Sequence, residues 1–208
     1  KYYVSEKDGS AEVYYDQQFT GSDLVIEETV TYGGKVYPVT SIKDAAFKDC
    51  TTISTVKLPD NLELIGDRAF KGCTGLTSIV IPNKVTKIVN YAFWNCKNLT
   101  SAVLGESLTD IGDRIFDDCT NLKEVWLKTV TPPTFYKYPD YGLMPNLPAT
   151  VYVPKGSLQA YKDAIGWKSN NLEEYEPHTF KKEVTFNGLN YIYDDASKTY
   201  ILIRQSEN

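Results

Sequence analysis

The sequence predicts a mixed α/β to mainly β solenoid in which coils of 23 residues stack on one another. The main observation is that five columns of large apolar residues and cysteines repeat at this step over four copies, without an insertion. The columns are Val39, Leu62, Val85 and Leu108; Ile42, Ile65, Ile88 and Ile111; Phe47, Phe70, Phe93 and Phe116; Cys50, Cys73, Cys96 and Cys119; and Ile53, Leu76, Leu99 and Leu122. The second observation is a composition of 42% hydrophobic and 24% charged residues, which is that of an ordinary globular protein. Because one coil cannot bury its own apolar side, the coils have to stack into one continuous core.

A single repeat shows the elements predicted for each coil. Ile79 and Ile81 alternate with outward positions and predict a short strand, which Pro82 ends because proline has no N–H for the next ladder bond. The stretch 67–73 is predicted to form a short helix or a turn that places its apolar residues inside. The stretch 85–88 predicts a second extended edge. Each coil is therefore expected to have two extended edges joined by turns.

The two ends of the chain carry hairpin signals that differ from the repeat. Residues 1–20 alternate around an Asp-Gly turn and predict an N-terminal hairpin, and two adjacent glycines at 33–34 predict a second one. Residues 178–208 alternate around an Asn-Gly pair at 187–188 and predict a small β-meander. Three strands alone are only marginally stable, so the meander is expected to pack on the end of the solenoid.

These signals divide the chain into four parts. Residues 1–38 are predicted to form an N-terminal cap with hairpins, and residues 39–127 four leucine-rich coils of 23 residues. Residues 128–176 are predicted to contain an irregular loop and a closing repeat, and residues 177–208 a C-terminal β-hairpin or meander. The lone histidine, His178, lies in a hydrophilic run next to a proline, which is typical of a solvated linker.

Charge and hydropathy argue against two classes of partner. The net charge is −5, and an acidic chain without a basic block repels phosphate groups, so we expect no binding to nucleic acid. No apolar run approaches the roughly 20 residues that a membrane span needs, so no span is expected. The chain begins at Lys1 rather than at a methionine, as a mature chain does after its leader is removed.

The repeated cysteines and aspartates are predicted to be structural. Each cysteine lies three residues after a column phenylalanine, where it would act as a small hydrophobic residue; stacked disulfides and a metal site are the remaining alternatives. Asp44, Asp67 and Asp113 share one column and are interpreted as turn and capping residues that accept free N–H groups, with a weak cation site as the alternative. The sequence thus predicts no catalytic residue, no cofactor and no metal ligand.

The repeat motif resembles that of the BspA-like leucine-rich repeats of bacterial surface proteins. The pattern Ile-Gly-Asp-x-Ala-Phe-x-x-Cys-x-x-Leu-x-x-Ile-x-Ile-Pro is met almost fully at 65–82 and partly at 42–59, 88–104 and 111–127. The segment 151–167 is similar to the closing unit of that family. The resemblance implies a leucine-rich-repeat right-handed superhelix with β-hairpin caps, secretion or surface display and, for some members, adhesion to host proteins. It does not imply an enzyme.

The outward side of the main strand provides the candidate binding site. Between the inward residues of successive strands lie Val80, Val103, Trp126 and Tyr152, which are expected to form an exposed apolar column. Contiguous exposed apolar surface marks interaction sites, and Trp and Tyr dominate binding hot spots. The alternative is that the loop 131–148, which is rich in aromatic residues, folds back and covers the column.

These observations predict a non-enzymatic module, secreted or displayed on the cell surface, that binds a macromolecule through this column. The expected partner is an extracellular protein or a glycan, and the chain is expected to be a monomer. A structural spacer within a larger surface protein is the alternative. A carbohydrate-active enzyme is a third possibility, for which two carboxylates would have to face one cleft.

Overall fold

The structure, a computed structural model, describes residues 1–14, 19–135, 149–167 and 170–176, together with the backbone of three later strands. The elements, in chain order, are β1 (Tyr2–Ser5), β2 (Ser10–Val13), β3 (Asp23–Val25), β4 (Thr29–Tyr32), β5 (Lys35–Ile42), β6 (Thr55–Lys57), β7 (Leu64–Ile65), β8 (Ser78–Val80), β9 (Lys87–Ile88), β10 (Ser101–Leu104), β11 (Asp110–Ile111), β12 (Glu124–Leu127), β13 (Thr134–Phe135), β14 (Thr150–Pro154), α1 (Leu158–Asp163), β15 (Asn171–Tyr175), β16 (Phe180–Phe186), β17 (Leu189–Asp194) and β18 (Thr199–Gln205). The described part of the chain is therefore mostly strand.

The chain stacks as parallel coils, as predicted. A first sheet, here called the face sheet, has the order β15-β14-β12-β10-β8, and all its neighbours are parallel. A second sheet, here called the back sheet, runs through β5-β7-β9-β11-β13, also in parallel. In the back sheet Ile42 pairs with Ile65, Ile65 with Ile88, and Ile88 with Ile111, so that neighbouring coils are offset by the 23-residue step of the sequence.

Hairpins cover the beginning of the solenoid. Strands β1 and β2 pair in antiparallel fashion, and β2 then joins β5 as a further parallel strand of the back sheet. Strands β4 and β5 form a second antiparallel hairpin, in which Tyr32 pairs with Lys35. The turn between them needs Gly33 and Gly34, because their φ angles are +57° and +77°, a conformation that other residues rarely adopt. Both hairpins were predicted from the sequence.

The repeated columns form the core. Ile65, Phe70, Cys73 and Leu76 have no exposed surface, and the equivalent residues of the next two coils are buried to the same degree or within 1% of it. The phenylalanine rings stack along the solenoid, with centroids 5.2 Å apart between Phe47 and Phe70, 5.4 Å to Phe93 and 5.6 Å to Phe116. Offset stacking at this spacing adds attraction to the burial of apolar surface. The column prediction is confirmed.

The column of four cysteines lies in the core, as predicted. All four cysteines are free and buried. Cys73, Cys96 and Cys119 each donate the S–H to the carbonyl oxygen of the phenylalanine 26 residues earlier, at 3.1 to 3.2 Å. Burial raises the pKa of the Cys73 thiol far above its usual value. The four cysteines are therefore packing residues that are not cross-linked, and Cys73 is held in its neutral form.

The connection before each cysteine is a turn, so the helical alternative was wrong. The turn residues Ala45, Arg68, Tyr91 and Arg114 share one column and have φ between +51° and +56°. In the column of the predicted capping residues, two side chains act across coils rather than within their own: Asp44 Oδ1 accepts the backbone N–H of Asp67 at 2.7 Å, and Asn90 Oδ1, at the equivalent position of a later coil, accepts that of Asp113 at 2.9 Å. A side-chain oxygen thus binds a backbone N–H of the following coil, which fixes the distance between coils.

The coil that contains helix α1 closes the end of the solenoid. Tyr161 and Trp167 have no exposed surface, and their rings meet edge to face with centroids 5.1 Å apart. Tyr161 donates its hydroxyl to the carbonyl of Thr129 at 2.9 Å, and Trp167 donates Nε1–H to the carbonyl of Pro133 at 2.8 Å. These two bonds tie the closing coil to the chain that follows β12.

The last three strands form the predicted antiparallel meander, β16-β17-β18. The turn at 187–188 lies outside the described residues. Cα atoms of β18 lie within 8 Å of Cα atoms of β8, in the middle of the solenoid. The expectation that the meander packs on the end of the solenoid stays a prediction.

Candidate functional site

The four residues predicted as a binding column lie in one row across the face sheet. Val103 pairs with Val80 on one side and with Trp126 on the other, and Trp126 pairs with Tyr152. Inward neighbours such as Ala102 and Val125 are fully buried in the core. The four residues, here called the strand-face column, therefore point to the side of the sheet away from the core, in the register that the sequence indicated.

The strand-face column is less exposed than predicted. Only 6% of Val103 and 4% of Trp126 are exposed, while Val80 and Tyr152 are half-buried. The expectation of an exposed column was therefore wrong for Val103 and Trp126. Part of the reason is aromatic packing along the row: the Trp126 and Tyr152 rings stack with centroids 4.0 Å apart at 15°.

Tyr175 adds to this packing, and sequence analysis missed it. Its ring meets Trp126 edge to face, with centroids 5.3 Å apart at 73°. Its hydroxyl donates to the carbonyl of Leu127 at 3.0 Å, and burial raises its pKa to about 12. The run 173–178 was interpreted as a solvated linker because of its charges, yet residues 171–175 form β15, in which Tyr175 pairs with Pro154. The sequence signal that could have indicated its burial is that Tyr175 is the single aromatic residue in a run of acidic ones.

Polar groups border the strand-face column on both sides of Trp126. Trp126 donates Nε1–H to Glu124 Oε2 at 3.2 Å. The amine of Lys128 donates to Asn83 Oδ1 at 3.3 Å, and burial lowers the pKa of this amine although Glu106 opposes the shift. These polar side chains lie beside an apolar row, an arrangement that can orient a bound partner as well as attract it.

The row continues beyond the column at both ends with charged residues. Lys57 occupies the equivalent position of β6 and pairs with Val25, which is 49% exposed. At the other end Tyr152 pairs with the exposed Glu173. The face thus runs from a cationic end, through an apolar middle, to an anionic end. Such a pattern favours a partner with an apolar centre between two polar groups.

The structure offers no support for metal chemistry in the part of the chain that it describes. Among those residues no three His, Cys, Asp or Glu side chains are grouped so that they could hold a metal ion. Asp44, the candidate cation ligand of the first repeat, already accepts a backbone N–H. Within the same residues, none of the helices has the length and apolar character needed to cross a membrane.

Two sequence-based predictions fall on residues outside the description. His178 is one of them, and the greater part of the loop 131–148, from residue 136 onward, is the other. The covering of the column by this loop therefore stays a prediction. Phe135, the last residue before that part, packs toward Trp167, with ring centroids 5.3 Å apart.

The stacked parallel coils and their internal ladders define a leucine-rich repeat protein. Residues 38–137 match six copies of the BspA type leucine rich repeat region, so this part of the chain carries repeats of that type. Repeats of this type suggest a protein-interaction or surface module, and proteins that carry them are typically not enzymes.

Several solved structures of similar fold come from bacteria. A leucine-rich repeat protein of T. pallidum is 24% identical, covers 85% of this chain and 78% of its own, and has a TM-score of 0.61. A leucine-rich repeat protein of Bacteroides capillosus is 26% identical over 61% of this chain and 92% of its own, with a TM-score of 0.56. The pneumococcal vaccine antigen PcpA is 21% identical over 76% of this chain and 48% of its own, with a TM-score of 0.54. No curated protein matches the chain.

Proposed function

We propose that the protein is a secreted or surface-displayed module that binds a macromolecule through the strand-face column and performs no catalysis. The observation that carries the proposal is a second apolar cluster outside the core, formed by Val103, Trp126 and Tyr175 with Val80 and Tyr152 packed against it. The solenoid does not need this cluster for its own stacking, since the inward columns already form a separate continuous core.

The composition of the face supports a protein or a glycan as the partner. Tyr and Trp contribute large contact area at a small entropic cost and are enriched at interaction hot spots. Glycans also pack on aromatic rings, and the half-buried Tyr152 presents one at the accessible edge of the stack. The family resemblance supports an extracellular or cell-surface location, and we expect the chain to act as a monomer.

A binding screen tests this proposal. Purified chain is applied to immobilised extracellular matrix proteins and to a glycan array, and affinities are measured for each hit. Tyr152→Ala should weaken a specific hit by at least about tenfold, because tyrosine is among the residues that dominate binding energy at hot spots. Thermal unfolding of the variant verifies that it is folded.

Tyr32→Ala is the matched control, because this tyrosine is 57% exposed and lies on the hairpin of β4 and β5. It should leave the affinity unchanged. Equal affinity of both variants for every hit would contradict a binding role for the column. A screen without any hit, by a demonstrably folded protein, would favour the structural spacer.

A further inference from the structure

The burial of Trp126 and Val103 is more complete than their neighbours in the sheet explain. Both residues lie on the side of the sheet away from the core, where side chains of adjacent strands cover only the flanks of each other. Val80 and Tyr152, which lie in the same row, remain half-buried, whereas the exposed fractions of Val103 and Trp126 are 6% and 4%. An element that lies on top of the centre of the row would account for this difference.

The C-terminal meander has the composition of such an element. Its register places two sets of residues on opposite faces. One face is mainly apolar and holds Val184, Phe186, Leu189, Tyr191, Tyr193, Tyr200 and Leu202, together with the polar Lys182 and Gln205. The other face is mainly polar and holds Glu183, Thr185, Asn190, Asp194, Thr199 and Arg204, together with Phe180, Ile192 and Ile201. An amphipathic sheet of three strands needs a partner for its apolar face.

The chain path brings the meander to the strand-face column. Tyr175 ends β15 against Trp126, and β16 begins at Phe180, so the connection can span no more than about 18 Å. Cα atoms of β18 and of β8 lie within 8 Å of each other, and β8 contains Val80 of the column. Sheets packed face to face lie about 10 Å apart, so Cα atoms within 8 Å of each other are close enough for β18 and β8 to be in direct contact.

We propose that the meander is a built-in cover of the strand-face column, with its apolar face on Val80, Val103 and Trp126. Where the column binds a macromolecule, the cover competes with that ligand, and this second part rests on the proposed function. Displacement of the meander exposes an apolar and aromatic row, and return of the meander hides it again. The half-buried Tyr152 at the rim is the residue that a ligand meets first.

Tryptophan quenching in the full chain tests the cover. The background variant Trp94→Phe leaves Trp126 and Trp167, which are both buried. Leu202→Asp places a charge on the apolar face of the meander and should raise the accessibility of Trp126 to acrylamide severalfold. Ile201→Asp, the adjacent aliphatic residue of the same strand on the opposite face, should leave it unchanged. Equal quenching in the two variants would overturn the proposal.

A reciprocal measurement keeps the test decisive if the meander variants unfold locally. Val80→Asp changes a half-buried position of β8, while Val25→Asp changes an exposed position of the same row in β3. Hydrogen exchange of the amides at 180–205 should become severalfold faster in Val80→Asp only. Unchanged exchange in Val80→Asp would refute the cover.

Affinity measurements on Leu202→Asp distinguish the proposed cover from the proposed binding function. If both meander tests succeed, Leu202→Asp should bind a ligand of the screen more tightly than the unchanged chain. Success of the quenching and exchange tests without any ligand for Leu202→Asp would refute the binding function and retain the cover. A ligand that binds the unchanged chain and Leu202→Asp equally would refute the competition.

Discussion

The inward columns and the strand-face column belong to the same coils, yet they follow opposite rules. Inward positions repeat almost unchanged, as at Phe70, Phe93 and Phe116, and each is fully buried. The outward position of the main strand varies along the solenoid, from Lys57 through two valines to Trp126 and Tyr152. An inward residue meets the same residue of the next coil, so the 23-residue step selects one residue type for each column.

The outward position does not have to match the next coil in this way, because its side chain lies outside the core that the inward columns form. Its residues can be chosen for what lies on the face, whether ligand or meander. The same contrast predicts where substitutions destabilise the fold and where they change what the face contacts. Each of the following variants tests this contrast either in the inward columns or on the outward surface.

The largest loss of stability is expected in the inward phenylalanine column. Phe93 stacks on both Phe70 and Phe116 and has no exposed surface, so Phe93→Ala opens a cavity in the middle of the core. We expect the free energy of unfolding in urea to fall by about 3–5 kcal/mol. Val80→Ala on the outward row should lose far less, and an equal loss would contradict the contrast.

A somewhat smaller loss is expected at Gly105, where other strands are followed by Pro59 and Pro82. A Cβ atom at this position would lie 2.2 Å from the carbonyl oxygen of Pro82, which belongs to the backbone and cannot rotate away. Gly105→Ala should therefore destabilise the fold by about 3 kcal/mol. Ser107→Ala, at an exposed position two residues later, is the control and should remain within about 0.5 kcal/mol.

The hydroxyl of Tyr175 should give a measurable dependence of stability on pH. Its pKa is raised from 10.0 to about 12 by burial, so between these values the unfolded chain loses the proton while the folded chain keeps it. This contribution is complete below pH 10 and is lost as the pH rises to 12. The stability difference between the unchanged chain and Tyr175→Phe should shrink by up to about 2 kcal/mol over that range.

Urea unfolding of both proteins at pH 9 and pH 11.5 would measure this effect. Tyr161, whose pKa is also raised to about 12, is present in both proteins, so its contribution cancels. A difference that stays constant with pH would show that Tyr175 is accessible to water. The edge-to-face contact with Trp126 would then be absent in solution.

The smallest effect is expected on the turn side, where cations of one coil lie over rings of the next. The Lys71 amine lies 4.0 Å from the centroid of the Trp94 ring, and the Arg68 guanidinium lies 5.0 Å from that of Tyr91. Lys71→Ala should cost about 0.5–1 kcal/mol, since these groups are partly exposed. Lys71→Ala combined with Trp94→Ala should show by non-additivity whether the two residues interact, and strict additivity would refute the contact.

The inward half of the molecule could be predicted from the sequence because its period is visible. Columns such as Ile65 and Cys73 repeat at a fixed step, and the step alone places neighbouring coils in register. The outward row was also aligned correctly, since Trp126 and Tyr152 follow from the same strands. Its burial could not be predicted, because it depends on Tyr175 and on the meander, neither of which belongs to the repeat.

Strand β15 illustrates what the sequence could not predict. Its charged residues Glu173 and Glu174 suggested a linker, but the second of them caps backbone groups: Glu174 Oε1 accepts the N–H of Gly156 at 2.8 Å and that of Leu158 at 3.2 Å. A charge that serves a neighbouring turn has the same sequence signature as a charge in solvent. Only the three-dimensional arrangement separates the two.

Photo-cross-linking from the outward row tests the central claim most directly. A benzophenone amino acid replaces Val80 in the full chain, and after irradiation the linked peptides are identified by mass spectrometry. The cover predicts an intramolecular link to a peptide of β18, residues 199–205. Links confined to β6, β10 or a second molecule would contradict it and would show the strand-face column to be open.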